Sequence, residues 1–234
     1  MNAELKKSML EYYDARAAEY DEIYTLGAPP ESMIDPSVFK HEVSVLGGFV
    51  TLHMRGRVLD APCGAGFWSN FYVANATAIT LADYSENMLL ESRRKIDAQG
   101  ALGRTTLTRR DLVDGPLPAG PFDCALVGFF LSHLTDSQMD EYFAKLRAEL
   151  VPNAKVLMLD SVYSPRRRSL YAKAGQRSRK LKDGREFEIY KRYFEPDDFP
   201  GLNQRWGTEL EVVFVGDVYM AAAGEFDGTA STTG

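Results

Sequence analysis

Residues 4–24 carry apolar positions at helical spacing, with Leu5, Met9, Tyr12, Tyr13, Ala17 and Tyr20 mostly on one stripe. Gly27-Ala28-Pro29-Pro30 is expected to end that segment. A second helix is predicted over 36–53. Short apolar runs then alternate with amphipathic ones. They predict strands at 57–61, 78–83, 105–110, 122–129 and 154–161, and helices at 67–75, 85–99 and 136–150. Ser85 followed by Glu86 reads as a helix start, and Asp136 as a cap. The run at 122–129 is almost continuously apolar, as a strand covered on both faces requires. Strand and helix in alternation, with short links, give an α/β fold with a doubly wound, mostly parallel sheet. The pattern changes after residue 162. Residues 186–194 alternate like a strand, 196–207 are rich in turn residues, and 211–215 and 218–223 flank Gly216-Asp217 as a closing antiparallel β-hairpin. The small polar residues 228–234 read as a disordered tail.

Composition narrows the class. Of the 234 residues 45% are apolar, enough for a large core, and the net charge of −6 argues against a general nucleic-acid binder. No run is long and apolar enough to span a bilayer, and the polar N-terminus has no secretory apolar region. Cys63 lies in a glycine loop and Cys124 in a buried strand, so both read as reduced thiols of a cytoplasmic protein. Neither has a His or Cys at ligand spacing, and no metal site is expected. Charge is unevenly spread. Residues 165–192 hold 11 Lys/Arg against 3 Asp/Glu, a formal +8, which leaves about −14 for the rest.

The most informative stretch is Arg57-Val-Leu-Asp-Ala-Pro-Cys-Gly-Ala-Gly66: a strand, then Asp60, then a Pro/Gly loop that opens a helix. Gly64 and Gly66 allow a sharp turn and close approach to a ligand. Asp83 ends the second strand 23 residues after Asp60, Asp111 ends the third, and Gly128-Phe129 ends the fourth. All four tips fall on the carboxyl edge of the sheet, where ligands of such folds bind, and Asp83 stands where a ribose diol is held. A pyrophosphate-binding loop wants free N–H groups and no adjacent carboxylate. Asp60 stands immediately before this loop, so the pattern suits a nucleoside with an ammonium or sulfonium group.

At these residues the chain resembles the class I S-adenosylmethionine-dependent methyltransferases, over roughly residues 10–225. Asp60 to Gly66 resembles the first motif of that Rossmann-like family, with Pro62 in place of its first glycine. By that resemblance Asp60 lies near the methionine end of S-adenosyl-L-methionine, and Pro62, Gly64 and Gly66 shape the pocket. Asp83-Tyr84 resembles the second motif, with Asp83 on the ribose and Tyr84 and Met88 near the adenine. Asp111-Leu112 resembles the adenine-contacting motif, and 122–128 the fourth. Tyr12 to Asp21 is similar to the N-terminal lid helix of small-molecule members. There Tyr13 and Tyr20 would put aromatic rings near the sulfonium, and Arg16 would pair the cofactor carboxylate. The implied division is a helical lid over 1–55 and a core over 56–227, with a basic insertion near 163–185.

Methyl transfer asks the protein to align the acceptor and exclude water, and to supply a base where the acceptor must lose a proton. His133, just past the fourth strand, is the candidate base. Tyr171, Arg177 and Arg179 in the basic stretch are candidates for binding an anionic substrate, with a solvated helix face as the alternative. Trp68 reads as core packing, and a covalent role for Cys63 is not expected. The leading expectation is methylation of oxygen or nitrogen on a small metabolite, without nucleic-acid or membrane partners. An RNA-modifying methyltransferase, a non-catalytic cofactor-binding scaffold and a nicotinamide dehydrogenase stay open, as does the oligomeric state.

Overall fold

A computed structural model describes residues 2–25 and 34–226. The loop Gly27-Ala28-Pro29-Pro30 and the tail 228–234 lie outside the described residues.

Seven strands form one sheet in the order β3-β2-β1-β4-β5-β9-β8. β1 (Gly56–Asp60), β2 (Ala76–Asp83), β3 (Thr105–Arg109), β4 (Phe122–Gly128) and β5 (Leu150–Ser161) run parallel. β8 (Glu211–Val215) and β9 (Tyr219–Gly224) form the closing antiparallel hairpin, with β9 paired against β5. Strand order reverses between β1 and β4, so the crevice for a ligand opens where Asp60 pairs in register with Leu126. Val58, Leu59, Leu126, Val127 and Leu157 are fully buried, as expected where helices cover both faces.

Two flanking helices match their sequence signals closely. α3 (Pro36–His53) starts on Asp35, whose carboxylate accepts from Ser37 N at 2.8 Å. α5 (Glu86–Ala98) starts on Ser85, whose hydroxyl accepts from Met88 N at 3.1 Å. α3 packs Phe39, Val43, Leu46 and Val50 into the main core rather than over the crevice. The segment that overlies the crevice is the one before it.

Four expectations need correction. The helix predicted over 4–24 is broken: α1 covers Ala3–Ala15, Arg16 leaves helical geometry at φ −97° and ψ 7°, and a short turn leads to α2 (Glu22–Thr25). The break lets Ala17 pack against Ala65 and Met88 while Tyr13 and Tyr20 close around them. The segment 67–75 is one helical turn, α4 (Ser69–Tyr72), followed by a 3-10 turn. α6 (Asp136–Glu149) is capped by Thr135, in a capping box with Gln138, and not by Asp136. The turn-rich segment holds a helix, α8 (Phe199–Trp206). Phe199, Leu202 and Trp206 form its buried face, and Trp206 stacks on Phe143 with ring centroids 3.9 Å apart.

Only the first three arginines of the basic stretch lie on a helix. After α7 (Pro165–Leu170) it forms β6 (Ala174–Lys180), paired antiparallel with β7 (Glu186–Arg192) in a separate two-stranded sheet. α1 lies on that hairpin through Met9, Tyr12, Leu181 and Ile189. The N-terminal helix and the insertion therefore form one cover over the carboxyl edge. No described helix is long and apolar enough to cross a membrane.

Candidate active site

The loop after β1 is tied to both neighbouring strands. Ala61 N donates to Leu126 O at 3.3 Å and Cys63 N to Ala82 O at 2.9 Å. Gly64 and Gly66 adopt φ of +52° and +78°. A Cβ on Gly66 would lie 2.9 Å from Ser92 Cα, so the loop packs on α5 only with glycine there. Ser92 Oγ donates to Gly64 O at 2.7 Å, and Lys95 donates to Ala65 O at 2.5 Å.

Behind the loop Asp60 is buried, and its carboxylate accepts from Tyr72 Oη at 2.8 Å. Burial pushes its pKa up to about 7, against the pull of the Tyr72 hydrogen bond. Asp83 accepts from Gly64 N at 3.0 Å and Ser85 N at 2.9 Å. Burial raises it to about 6, although those backbone donors favour the anion. Among the described residues neither carboxylate has a cationic partner. The strand tips thus hold two costly negative charges, which a cationic ligand would relieve.

A cavity opens in front of these tips. Among the predicted residues Tyr13, Tyr20, Pro62, Gly64, Asp83, Tyr84, Met88, Asp111, Leu112, Gly128, Phe129 and His133 line it, joined by Lys6, Met9, Leu10, Val113 and Phe130. Asp60 and Gly66 stand behind the lining. Asp111 is engaged by the cover: Lys6 Nζ reaches it at 2.7 Å and Asp114 at 2.5 Å. Against the opposing effect of partial burial, Lys6 holds the Asp111 pKa below the usual carboxylate range. Asp14 clamps the other end of α1, accepting from Ser85 Oγ at 2.5 Å and Asn87 Nδ2 at 2.9 Å.

Arg16 is stacked between Tyr12 and Tyr20, its guanidinium carbon 5.2 and 5.1 Å from the two ring centroids. Nη1 donates to Tyr12 Oη at 2.6 Å, whereas Nε is buried without a hydrogen-bond partner, and among the described residues no carboxylate pairs with the guanidinium. A carboxylate-bearing ligand would complete it. Trp68 stacks on Phe129, and its buried Nε1 is likewise without a partner. Cys63 is buried, and burial pushes its thiol well above the ordinary range, which removes the thiolate a covalent role needs.

His133 stands at the seam between the tips and the insertion. Its Nδ1 lies 2.7 Å from Tyr190 O, and its Nε2 lies 2.7 Å from Tyr13 Oη. A carbonyl only accepts, so Nδ1 carries the proton and Nε2 accepts from the Tyr13 hydroxyl. Burial, with Lys191 and Arg179 nearby, drives its pKa well below the ordinary histidine value, so the ring is neutral.

Sequence reasoning missed the rest of this side. Lys191 is buried and donates to Ser132 Oγ at 2.6 Å and to Asp160 at 3.4 Å. Burial lowers its pKa to about 8, and Arg167 and Arg179 add to the effect while Asp160 opposes it. Arg167 donates to Val162 O at 2.7 Å and to Val218 O, and stacks over Tyr193. A signal for Lys191 existed: it falls in register with buried Ile189 on an alternating strand, where an apolar residue is the norm. Of the predicted substrate residues, Arg179 acts electrostatically on Tyr13, His133 and Lys191. Tyr171 is exposed, and Arg177 stacks on it at 5.3 Å towards the open end of the hairpin.

Fold and site together define a doubly wound protein with acidic strand tips around a cavity at the carboxyl edge of its sheet. Residues 58–153 match the family model described as a methyltransferase domain. The ubiquinone/menaquinone biosynthesis C-methyltransferase UbiE of Teredinibacter turnerae is 31% identical over 121 residues, which are 50% of this chain and 47% of that protein. The chain spans about half the length of the curated relatives it matches. Among solved structures, DhpI in complex with SAH superposes at a TM-score of 0.76 with 23% identity, over 98% of this chain and 100% of that one. The cyclase SpnF superposes at 0.65 with 14% identity, over 94% and 96%. These two share the fold. Residues 58–153 thus match a methyltransferase domain, and the whole chain shares the fold of the S-adenosylmethionine-dependent methyltransferase structures it superposes on.

Proposed function

We propose that this protein methylates an oxygen or nitrogen of a small, negatively charged acceptor in the cytoplasm, using S-adenosyl-L-methionine. The cofactor supplies a methyl group already activated on a sulfonium. The chain's residues fit it: Asp83 would hold the ribose, Asp111 and Leu112 would border the adenine, Arg16 would pair the carboxylate, and Tyr13 and Tyr20 would face the sulfonium. Closure of α1 over the glycine loop would exclude water and align the acceptor. His133, neutral and with its Nε2 lone pair on the Tyr13 hydroxyl, would take up the acceptor's proton by way of that contact.

The observation that carries the negative charge of the acceptor is the cationic wall. Arg167 and Arg179 both bear electrostatically on Lys191. Two carboxylates face these three cations: Asp160, which pairs with Lys191 at 3.4 Å and accepts from the N–H groups of 132 and 161, and Glu42, which accepts from those of 217–219. An anion would relieve the remaining positive charge. Most other cations of the stretch are already paired: Arg168 and Lys173 with Glu195, Lys182 with Glu22, Arg185 with Asp183 and Arg192 with Asp136. Little of the +8 is left to face a polyphosphate backbone, which disfavours RNA as the acceptor. A second reading, transfer to carbon, rests on the likeness to the UbiE C-methyltransferases.

Incubation with methyl-labelled cofactor and a metabolite extract, with products identified by mass, tests the proposal. The expected product is an anionic metabolite heavier by one methyl on oxygen or nitrogen. A carbon-methylated product supports the second reading. Tight cofactor binding by calorimetry without any labelled product leaves a cofactor-binding scaffold.

A further inference from the structure

We propose that Tyr13 and His133 form a proton relay, with Tyr13 as the group that touches the acceptor, and that seating of the N-terminal helix assembles it. This inference rests on the methyl-transfer reading above. Tyr13 comes from α1 and His133 from the turn after β4, 120 positions away, yet their polar atoms meet at 2.7 Å on the cavity wall. The Tyr190 carbonyl, on the insertion, fixes the ring so that Nε2 faces the cover. Three separate segments therefore converge on one proton path. A hydroxyl of Tyr13 pointing at a bare imidazole nitrogen can accept a proton on its oxygen only while giving up its own.

The step balances as follows. The acceptor oxygen or nitrogen forms its bond to the methyl carbon as the carbon–sulfur bond breaks, with the electron pair left on sulfur. The acceptor's proton passes to Tyr13 Oη, and the Tyr13 proton passes to His133 Nε2. The imidazolium later returns that proton to water when the cover lifts.

The groups facing the pair make the relay selective. Tyr13 is flanked by Tyr12, Tyr20 and Arg16 from its own segment and by Arg179 from β6. His133 is flanked by Lys191 of β7 and by Arg179. These cations oppose a third positive charge on the imidazole. An acceptor carrying its own negative charge offsets them and makes His133 a better base; a neutral acceptor does not. Binding of the anion and competence of the base are thereby linked.

Two arms test this. In the first, nitrogen-15 NMR of the full chain with S-adenosylhomocysteine added reads the His133 ring. The expected result is a proton on Nδ1 and none on Nε2; a proton on Nε2 overturns the relay, since that nitrogen could then accept nothing. The second arm uses the acceptor identified by label transfer and compares His133→Gln and Tyr13→Phe with wild type. Gln can still accept a hydrogen bond from Tyr13 but takes no proton at neutral pH. H133Q is expected to bind cofactor within about twofold of wild type while kcat falls roughly 100-fold or more and loses its acid limb. Y13F is expected to lower kcat with a similar loss of pH dependence. Wild-type kcat in H133Q shows that the contact merely latches the helix. Absence of any labelled product ends the methyl-transfer reading, and the NMR arm still decides the proton placement.

Discussion

The acidic strand tips and the cationic cluster that bears on His133 carry opposite charge and are built in opposite ways. The acidic wall is made where three neighbouring strands end, and its carboxylates are placed by ladder hydrogen bonds a few residues away. Asp60 pairs with Leu81 and Leu126, and Asp83 with Arg109. The cationic wall has no such frame. Arg167, Arg179 and Lys191 come from a helix and two strands outside the main sheet, held by contacts with α1 and with Ser132 and Asp160. The acidic wall is therefore rigid before any ligand arrives, whereas the cationic wall depends on tertiary docking. The proposed methyl transfer needs both: a fixed seat for the cofactor and an adjustable wall for the acceptor.

The sharpest way to break the contrast is at the anchor of the cationic wall. Lys191→Met leaves Asp160 buried without its cation while filling similar space. Breaking one partner of a buried pair costs about 3–5 kcal/mol, so a large drop in denaturation midpoint is expected. A variant as stable as wild type shows that the insertion docks without Lys191. On the acidic wall, Asp83→Asn keeps the size and one acceptor oxygen but removes the charge. Cofactor affinity is expected to fall by about 1.5–3 kcal/mol, tenfold or more in Kd by calorimetry. Unchanged affinity removes the ribose assignment.

The same asymmetry explains what could be read from the chain. Asp60, Asp83 and Asp111 were legible because a strand, its tip and the next turn lie within ten residues, and local pattern fixes all three. α8 was not, because Pro196, Pro200, Gly201 and Gly207 mark turns locally, and only Trp206 meeting Phe143 makes the helix worthwhile. Tyr13 read as an aromatic of a lid and His133 as a lone base. No local pattern joins residues 120 apart, so their contact was invisible. Net charge misled in the same way: the +8 stretch counts cations without seeing the carboxylates that α2, α6 and residues 195–198 bring to them.

pH sharpens the comparison further. The Asp60 pKa is raised in the folded protein to about 7, far above its unfolded value. Between those values the folded chain holds a proton that the unfolded chain has released. The stabilising contribution is present below the unfolded pKa and is lost as pH rises through 7. His133 acts in the opposite sense, since its depressed pKa costs stability as pH falls below the ordinary histidine value. Comparing wild type with Asp60→Asn cancels the histidine. From pH 5 to pH 8 wild type is expected to lose about 2–3 kcal/mol relative to the variant. Parallel stability curves show that Asp60 is ionised throughout, and that the seat pairs its charge in some other way.

The smallest effect tests how far the cationic wall extends. Arg177 and Arg179 sit two apart on β6, opposite Ile189 and Phe187, so the strand presents both on one side. Their surroundings differ. Arg177 lies against the Tyr171 ring and donates to Ala172 O at 2.9 Å and Gln176 O at 2.8 Å, so it is largely spent on the hairpin itself. Arg179 donates to Ser178 O at 3.0 Å and projects its charge onto Tyr13, His133 and Lys191. Neutralising Arg179 is expected to raise the acceptor KM several-fold, about 1 kcal/mol, and to lessen its salt dependence. The same change at Arg177 is expected to move KM less than twofold. Equal effects at both positions extend the acceptor site to the open end of the hairpin. No effect at either leaves Arg167 and Lys191 as the whole of the wall and makes β6 a strut, because an arginine whose removal changes neither affinity nor salt dependence is not sensing the acceptor's charge.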